Sequence, residues 1–396
     1  MNDEKKNKAV QNGFSRRSVL GFGSAALAAA TFAGLTANAQ ERVSTQKAEH
    51  DQSSGDPGPE NKALLDQNSN SNNPPPTDHG DLGAIWYSFD LVKKRVEEGG
   101  WTHEVTQRVL PSSKDIAGVQ MRLTAGSYRE LHWHTADEWA YALYGNARVT
   151  VMNPDGTMFI GDVGEGDLWI FPAGYPHSIQ GLGPDGTEFL LIFNQGMFSE
   201  DGTMLLSELV AHTPPEVLAK NTGLDKSVFA QTPEAPLYIF PGHLPNSLEH
   251  DKAEIGSERV ASKYQYTFPA SKHIAAALLI IRPGHMREMH WHPNASEWQY
   301  YIAGKGRMTV FFPVDNARTM DFSANDVGFV PTNAPHYVEN TGDTDLVALE
   351  IFAAEEFMDV SLNQWLRRVP SEMLKAHLNI DKEMAMKIPA EKPELV

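Results

Sequence analysis

The stretch that decides the fold is His132-Trp133-His134-Thr135-Ala136-Asp137-Glu138, and the chain repeats it as His290-Trp291-His292-Pro293-Asn294-Ala295-Ser296-Glu297. Two histidines separated by one residue point to the same face of a β-strand, because strand side chains alternate between faces. A glutamate beyond a short turn can return to the same place. A third histidine follows each copy, His177 in the first and His336 in the second. Three imidazoles and one carboxylate on neighbouring strands predict a metal site in each copy.

The spacing of the ligands supports this interpretation more strongly than either motif alone. A single His-x-His pair is weak evidence, because most such pairs lie on surfaces or in cores without a metal. Here the separations between the copies stay constant at 158 residues, and then at 159 after a one-residue insertion beside Pro293. Chance does not preserve a four-ligand spacing twice. The predicted ligand sets are His132, His134, Glu138 and His177, and His290, His292, Glu297 and His336.

Length and composition limit the classes of function. The chain has 396 residues, which suits two domains of about 150 residues plus appendages. Its formal net charge is -18, which argues against a nucleic-acid partner, since nucleic-acid binding needs a basic face. The chain contains no cysteine, so disulfides, thiolate ligands and thiol nucleophiles are excluded.

The first 39 residues are typical of a targeting segment. Lysines precede the pair Arg16-Arg17, an apolar run rich in Ala and Gly follows, and Ala37-Asn38-Ala39 matches a cleavage site. The paired arginines look like a twin-arginine signal, so we expect export to the periplasm or the outside of a bacterial cell. A membrane anchor is the alternative. The small residues and the cleavage pattern favour export, with no stable membrane association after cleavage.

The remaining chain divides into a linker and two similar units. Residues 40–80 are rich in Ser, Asn, Asp, Gln and Pro, which predicts a flexible linker. Short alternating runs separated by Gly and Asp turns then predict an all-β sandwich or barrel, followed by a short helical pair. The same order recurs. We expect one unit at 81–232 and the other at 233–396, which ends in C-terminal helices.

The motif Gly-x5-His-x-His-x3,4-Glu-x6-Gly followed by Gly-x5-Pro-x-Gly-x2-His resembles the two-part signature of cupins. It covers Gly126 to Gly145 and Gly166 to His177 in the first unit. In the second unit Asn325 and Asn333 replace two glycines at turn positions that asparagine tolerates. With an arginine three residues before each His-x-His pair, the chain resembles bicupin oxalate decarboxylases. The implied fold is two tandem cupin barrels of the jelly-roll, or double-stranded β-helix, type.

The resemblance also implies the chemistry. It implies one manganese ion per cupin, hence two per chain, dioxygen as a co-catalyst, oxalate as the substrate and a homotrimer or homohexamer. Three imidazoles and a carboxylate suit a six-coordinate ion with two open positions. Arg129 and Arg287 suit a substrate carboxylate, because a guanidinium binds one through two parallel hydrogen bonds. A structural salt bridge is the alternative for each arginine.

A difference between the copies points to the first unit. Their separation falls from 159 at Phe193 to 156 at Pro214, so the first copy has three additional residues near Ser199–Thr203. This insertion is either an idle surface loop or a lid over the metal site. In decarboxylases of the family the corresponding lid carries a proton-handling glutamate, which Glu200 matches.

The second copy instead has Glu350 in an apolar strand, which is costly unless that residue is functional or paired with Arg287. The expected activity of the protein is conversion of oxalate to formate and CO₂. Oxalate oxidase, giving CO₂ and hydrogen peroxide, is the enzymatic alternative. A bicupin storage or binding protein is the non-catalytic one.

Overall fold

The computed structural model describes residues 61–71, 73–81, 83–232, 237–242 and 271–392. The predicted targeting segment and residues 40–60 of the predicted linker lie outside these ranges. Helix α1 (Lys62–Gln67) and strand β1 (Trp86–Ser88) precede the first barrel in the chain.

The first barrel is a single sheet of eleven strands. In chain order these are β2 (Arg95–Glu97), β3 (Gly100–Val105), β4 (Ala117–Leu123), β5 (Tyr128–Trp133), β6 (Glu138–Met152), β7 (Met158–Gly164), β8 (Leu168–Phe171), β9 (His177–Gly181), β10 (Thr187–Phe193), β11 (Met204–Leu205) and β12 (Ile239–Phe240). Strand β6 is long and pairs with β7, β8, β9 and β10. Its length joins the two halves of the barrel, which places the metal ligands of β5, β6 and β9 side by side.

The second barrel consists of two five-stranded sheets. Its strands are β1 together with β13 (Ala275–Ile281), β14 (Met286–Trp291), β15 (Glu297–Ala303), β16 (Lys305–Phe312), β17 (Asn316–Ser323), β18 (Asp326–Val330), β19 (His336–Asn340), β20 (Leu346–Phe352) and β21 (Val360–Ser361). Apolar side chains from both sheets share one buried core. The prediction of an all-β fold with two barrels is confirmed.

A second apolar layer joins the two barrels. In β10 the residues Phe189, Leu191 and Phe193 fill the first barrel, whereas Leu190 and Ile192 face the second. The strand is therefore apolar from Phe189 to Phe193, where both of its faces are buried. Gly118 allows this close packing between the barrels, because a Cβ at that position would lie only 2.5 Å from the Trp298 ring.

Two segments cross between the barrels, which corrects the predicted boundaries. Strand β1 pairs with β18 of the second barrel, although it precedes the first. Strand β12 pairs with β5 of the first barrel, although the predicted second unit begins at residue 233. The described part of the predicted linker is also folded: Ser69 and Asn70 donate to the Asp321 carboxylate at 2.9 and 2.8 Å. Side-chain hydrogen bonds, rather than apolar burial, hold this polar arm.

A helical pair follows each barrel, as expected. The helices are α2 (Leu206–Ala211), α3 (Pro215–Thr222), α4 (Leu362–Arg368) and α5 (Ser371–Leu378), with a further helix α6 (Lys382–Ala385). Asn325 and Asn333 have φ of 70° and 66°, where their counterparts Gly166 and Gly174 have 84° and 81°. The left-handed turns are therefore kept without glycine. In the described ranges, no helix has the length and apolar character that spanning a membrane requires.

Candidate metal centre

Each barrel brings its four predicted ligands together. In each set, one ligand atom from every residue lies within 4.8 Å of the others, and all eight residues are buried. Glu138 Oε2 lies 3.0 Å from His134 Nε2 and 3.5 Å from His177 Nε2. Adjacent ligands of a six-coordinate ion at about 2.1 Å are separated by about 3 Å, so this spacing suits one shared ion.

Backbone carbonyls fix the tautomer of every ligand histidine. All six Nδ1 atoms lie 2.5–3.0 Å from a carbonyl oxygen, which can only accept. The carbonyls belong to Glu130, Ala136, Tyr175, Glu288, Met358 and Ala334. Each neutral ring therefore carries its proton on Nδ1 and directs an Nε2 lone pair at the centre, as metal-binding histidines do.

The centres consequently collect acceptors that have no donor. Nε2 of His177, His290 and His336 is buried without a hydrogen-bond partner among the described residues. Glu297 Oε2 lies 3.0 and 2.8 Å from Nε2 of His292 and His336. Two lone-pair atoms at this distance repel unless a cation lies between them. The residues present thus fit a metal ion in both barrels.

Burial controls the protonation of the ligands. It lowers the pKa of His132 well below its ordinary value, and the Arg129 charge lowers it further. Burial acts on Glu138 in the opposite direction, but the adjacent rings of His134 and His177 bring the pKa of this carboxyl down to about 2. A neutral imidazole and an ionised carboxylate are the forms that bind metals.

In the first barrel Arg129 and Glu200 join the ligands around one small cavity. The enclosed space is about 10 Å³, and its walls include Leu191, Phe198 and Thr203. That is room for about one water molecule. Arg129 is 2% exposed, and its Nη1 donates to the Tyr238 carbonyl at 3.0 Å. A ligand larger than water therefore needs a wider cavity than this conformation provides.

Glu200 begins a 3-10 turn, Glu200–Gly202, within Ser199–Thr203, which we call the lid. Glu200 is 7% exposed, and burial raises the pKa of its carboxyl although Arg129 and Arg95 act against this. Strand pairing locates the insertion: Met204 lies opposite Trp133, as Val360 lies opposite Trp291. The first copy therefore has three additional residues between Phe193 and Met204, which agrees with the predicted insertion.

The second barrel replaces the lid with a fixed segment. Asp359 lies directly before β21 in this segment. Its carboxylate pairs with Arg287 at 2.5 Å and also contacts Lys392. The preceding Met358 carbonyl accepts from His292 Nδ1 at 2.7 Å. The alternative that Arg287 forms a structural salt bridge is borne out, although its partner is Asp359 and not Glu350.

Glu350 is buried beside the second ligand set. Burial, followed by the Glu297 charge, raises the pKa of Glu350 to about 8. Its Oε1 has no hydrogen-bond partner within the described part of the chain. The equivalent position in the first barrel is Leu191, which lines the cavity there. The two centres thus have the same kinds of ligand but differ at Leu191 and Glu350 and in the segment that carries Glu200 or Asp359.

Comparisons with known proteins agree with this architecture. The cupin family profile matches residues 91–229 and 251–386. The oxalate decarboxylase OxdC of Bacillus subtilis is 47% identical over 344 residues, which cover 82% of this chain and 89% of that protein. A probable oxalate decarboxylase of Arthroderma benhamiae is 37% identical over 366 residues, 86% of this chain and 89% of the relative.

A solved structure of the Bacillus subtilis oxalate decarboxylase, a protein with Mn(II) centres, gives a TM-score of 0.80 at 46% identity. It covers 86% of this chain and 95% of the other. The likeness therefore spans both barrels. The chain belongs to the bicupin oxalate decarboxylase family of cupins.

Proposed function

We propose that this protein is a manganese-dependent oxalate decarboxylase that converts oxalate to formate and CO₂ in its first barrel. The observation that carries this proposal is Glu200, a buried carboxyl on a three-residue insertion, which closes the metal-ligand cavity together with Arg129. The relatives bearing this name cover most of the chain. The imidazole and carboxylate donors suit Mn²⁺, the metal of the Bacillus protein.

Arg129 and Glu200 have different roles in the reaction: Arg129 binds the substrate, and Glu200 transfers a proton. Arg129 is buried and always charged, so it offsets the cost of bringing an oxalate carboxylate out of water and fixes its orientation. The Glu200 carboxylate accepts the proton of hydrogen oxalate when the lid closes. After CO₂ leaves, the resulting Glu200 carboxyl returns that proton to the remaining carbon. When bound, manganese with dioxygen as co-catalyst supplies the reversible one-electron chemistry.

The overall reaction is balanced without an external oxidant. Hydrogen oxalate yields one formate and one CO₂, so one carbon is reduced while the other is oxidised. An oxidase consumes dioxygen instead, because both carbons leave as CO₂ and the electrons form hydrogen peroxide. A single buried proton donor therefore separates the two outcomes, since only the decarboxylase must deliver a proton to carbon.

The deciding assay measures formate and peroxide from oxalate, together with metal content, on one purified sample. We expect formate in large excess and about two manganese ions per chain. Peroxide in excess would establish an oxidase. Absence of both products from a fully metal-loaded protein would leave the storage or binding alternative.

We further propose that the chain is exported by the twin-arginine route to the periplasm or the cell exterior. Arg16 and Arg17 precede an apolar run and the pattern Ala37-Asn38-Ala39. Replacing both arginines with lysine keeps the charge, and we expect it to leave the precursor in the cytoplasm. Delivery of the double-lysine variant to the outside would contradict this route.

The protein is also proposed to assemble as a homotrimer or homohexamer. Helices α2 and α4 leave Leu206, Leu209 and Trp365 at 40%, 49% and 58% exposed. Large exposed apolar side chains on such helices favour contact with another copy. Light scattering on the purified protein gives the mass directly, and a monomer would contradict the proposal.

A further inference from the structure

A second cavity lies on the outer side of the lid. Its volume is about 280 Å³, and it is lined by Lys93, Lys94, Arg95, Thr102, His103, Glu104 and the lid residues Ser199, Glu200 and Asp201. Glu200 therefore borders both the metal cavity and this outer cavity. Whatever holds the lid between the two spaces determines where the Glu200 carboxyl points.

Arg95 contacts both acidic residues of the lid. Its Nη2 donates to Asp201 Oδ1, and its Nη1 lies 3.8 Å from Glu200 Oε2. Glu104 adds a weaker contact, accepting from the Glu200 backbone N–H at 3.3 Å. Arg95 lies on β2, outside the lid, so it can act as a fixed point for a moving segment.

Tyr238 connects this arginine to the substrate-binding one. The Arg95 guanidinium lies 4.2 Å from the centre of the Tyr238 ring, and the Arg129 guanidinium lies 5.3 Å from it. The Tyr238 hydroxyl donates to Asp201 Oδ1 at 3.4 Å, while its carbonyl accepts from Arg129 Nη1. Tyr238 has φ of 43°, an uncommon conformation for a bulky residue, which the surrounding contacts must maintain.

The solvent exposure of Arg95 and Asp201 determines how strongly their ion pair can hold the lid closed. The Arg95 side chain is 34% exposed and that of Asp201 is 69% exposed. Exposed ion pairs shift an equilibrium by up to about fivefold. A lid that must open in every turnover needs a contact of this modest strength, because a stronger one would trap the product.

We propose that Arg95 is a positioning residue that latches the lid through Asp201 and so keeps the Glu200 carboxyl directed at the metal cavity. The proposal rests on the proposed function, since it assigns the latch to the proton delivery that produces formate. Loss of the latch leaves the lid open in a larger share of turnovers. Those turnovers lack the proton donor and release peroxide.

The test compares Arg95→Gln, Asp201→Asn and their double variant in the manganese-loaded protein. Each single variant should raise the ratio of peroxide to formate by about two- to fivefold, and the double variant should raise it by less than the product of the two single effects because the Arg95–Asp201 contact is common to both. Hydrogen exchange at the Gly202 and Thr203 amides, which bond to Ser199 O and Glu200 O, should accelerate by a similar factor.

Lys93→Gln is the matched control, because it removes the same charge from the same cavity. An equal rise in the peroxide ratio for this control would assign the effect to the general charge of the cavity and overturn the latch. Unchanged amide exchange in Arg95→Gln would overturn it as well. If the wild type makes no formate, the proposed function fails, yet the exchange comparison still decides the latch.

Discussion

Arg287 donates to a carboxylate oxygen of Asp359 at 2.5 Å, and Lys392 contacts that same carboxylate. The equivalent arginine of the first barrel, Arg129, donates to the backbone carbonyl of Tyr238. A guanidinium paired with a protein carboxylate is already neutralised, whereas one bound to a carbonyl keeps its charge for a ligand. The two centres therefore have the same metal ligands but different capacities to bind an anion.

The first prediction concerns this asymmetry. Arg129→Gln should lower kcat/KM for oxalate by roughly 10–100-fold, since it removes hydrogen bonds to a charged group. Arg287→Gln should change kcat/KM by less than about threefold while lowering the melting temperature, because it removes one of the two cations that pair with the Asp359 carboxylate, whose side chain is 6% exposed. Steady-state kinetics and thermal melts on both variants measure this. Similar losses of activity in the two variants would mean that both barrels bind substrate.

The second prediction concerns the metals. His134→Ala should remove the ion of the first barrel and His292→Ala that of the second, so each variant should retain about one manganese per chain. The double variant should retain almost none. Elemental analysis of well-folded protein measures the content. A wild type that folds without any metal in manganese-supplied medium would refute the ligand assignment.

Much of the site was predictable from sequence because the chain contains two similar units that can be compared with each other. The repeat identified all eight ligands, and the change in spacing located the lid. Between Phe352 and Pro370 the separation changes from 159 to 156, so spacing alone matches Asp359 to no single residue of the first copy. The ion pair of Asp359 with Arg287 was therefore not predicted from sequence.

Other features depend on contacts that no local pattern encodes. The arm at 61–81 looked flexible because it is polar, yet Asp78 accepts from the backbone and hydroxyl of Thr319 at 2.9 and 2.6 Å. The amino-acid composition of a segment predicts how much apolar surface it can bury, but it does not predict such hydrogen bonds. The position of Tyr238 beside Arg129 was likewise not predictable, because it depends on the pairing of β12 with β5, which lies more than 100 residues earlier in the chain.

The third prediction concerns pH and Glu350 in the metal-free protein. Burial and then the Glu297 charge raise the pKa of Glu350 to about 8 in the folded chain, against about 4.3 in an unfolded one. The folded state thus holds an additional proton between these values, and stability falls as pH rises from about 4.3 to about 8. Glu350→Gln stays neutral and escapes this loss.

The melting temperature of Glu350→Gln relative to wild type should therefore increase as pH rises from about 5 to about 8. The expected increase is about 2–4 °C for each kcal/mol of unfolding free energy that the wild type loses. Chelator-treated samples, melted across this range, measure the difference. Because Leu191 occupies the equivalent position, Leu191→Ala serves as a control for packing, and its effect should not depend on pH. A constant gap between Glu350→Gln and wild type would contradict the assigned protonation.

The fourth prediction is that Glu200 decides the reaction. Its carboxyl is buried in the lid, its pKa is raised by that burial, and it borders the cavity of Arg129 and the first ligand set. Glu200→Ala should lower formate production by roughly 10²–10⁴-fold, which is typical of losing a general acid–base. Peroxide should rise relative to formate, because the carbon left by CO₂ loss then reacts with dioxygen in place of a proton.

Manganese content should stay unchanged in Glu200→Ala, since no ligand is altered, and this separates lost chemistry from lost metal. Glu350→Gln is the matched variant of the second barrel and should keep most of the formate activity. Formate, peroxide and manganese are measured on the same preparations. If Glu350→Gln abolishes formate while Glu200→Ala retains it, the reaction belongs to the second barrel, and the paired Arg287 must release Asp359 to bind oxalate.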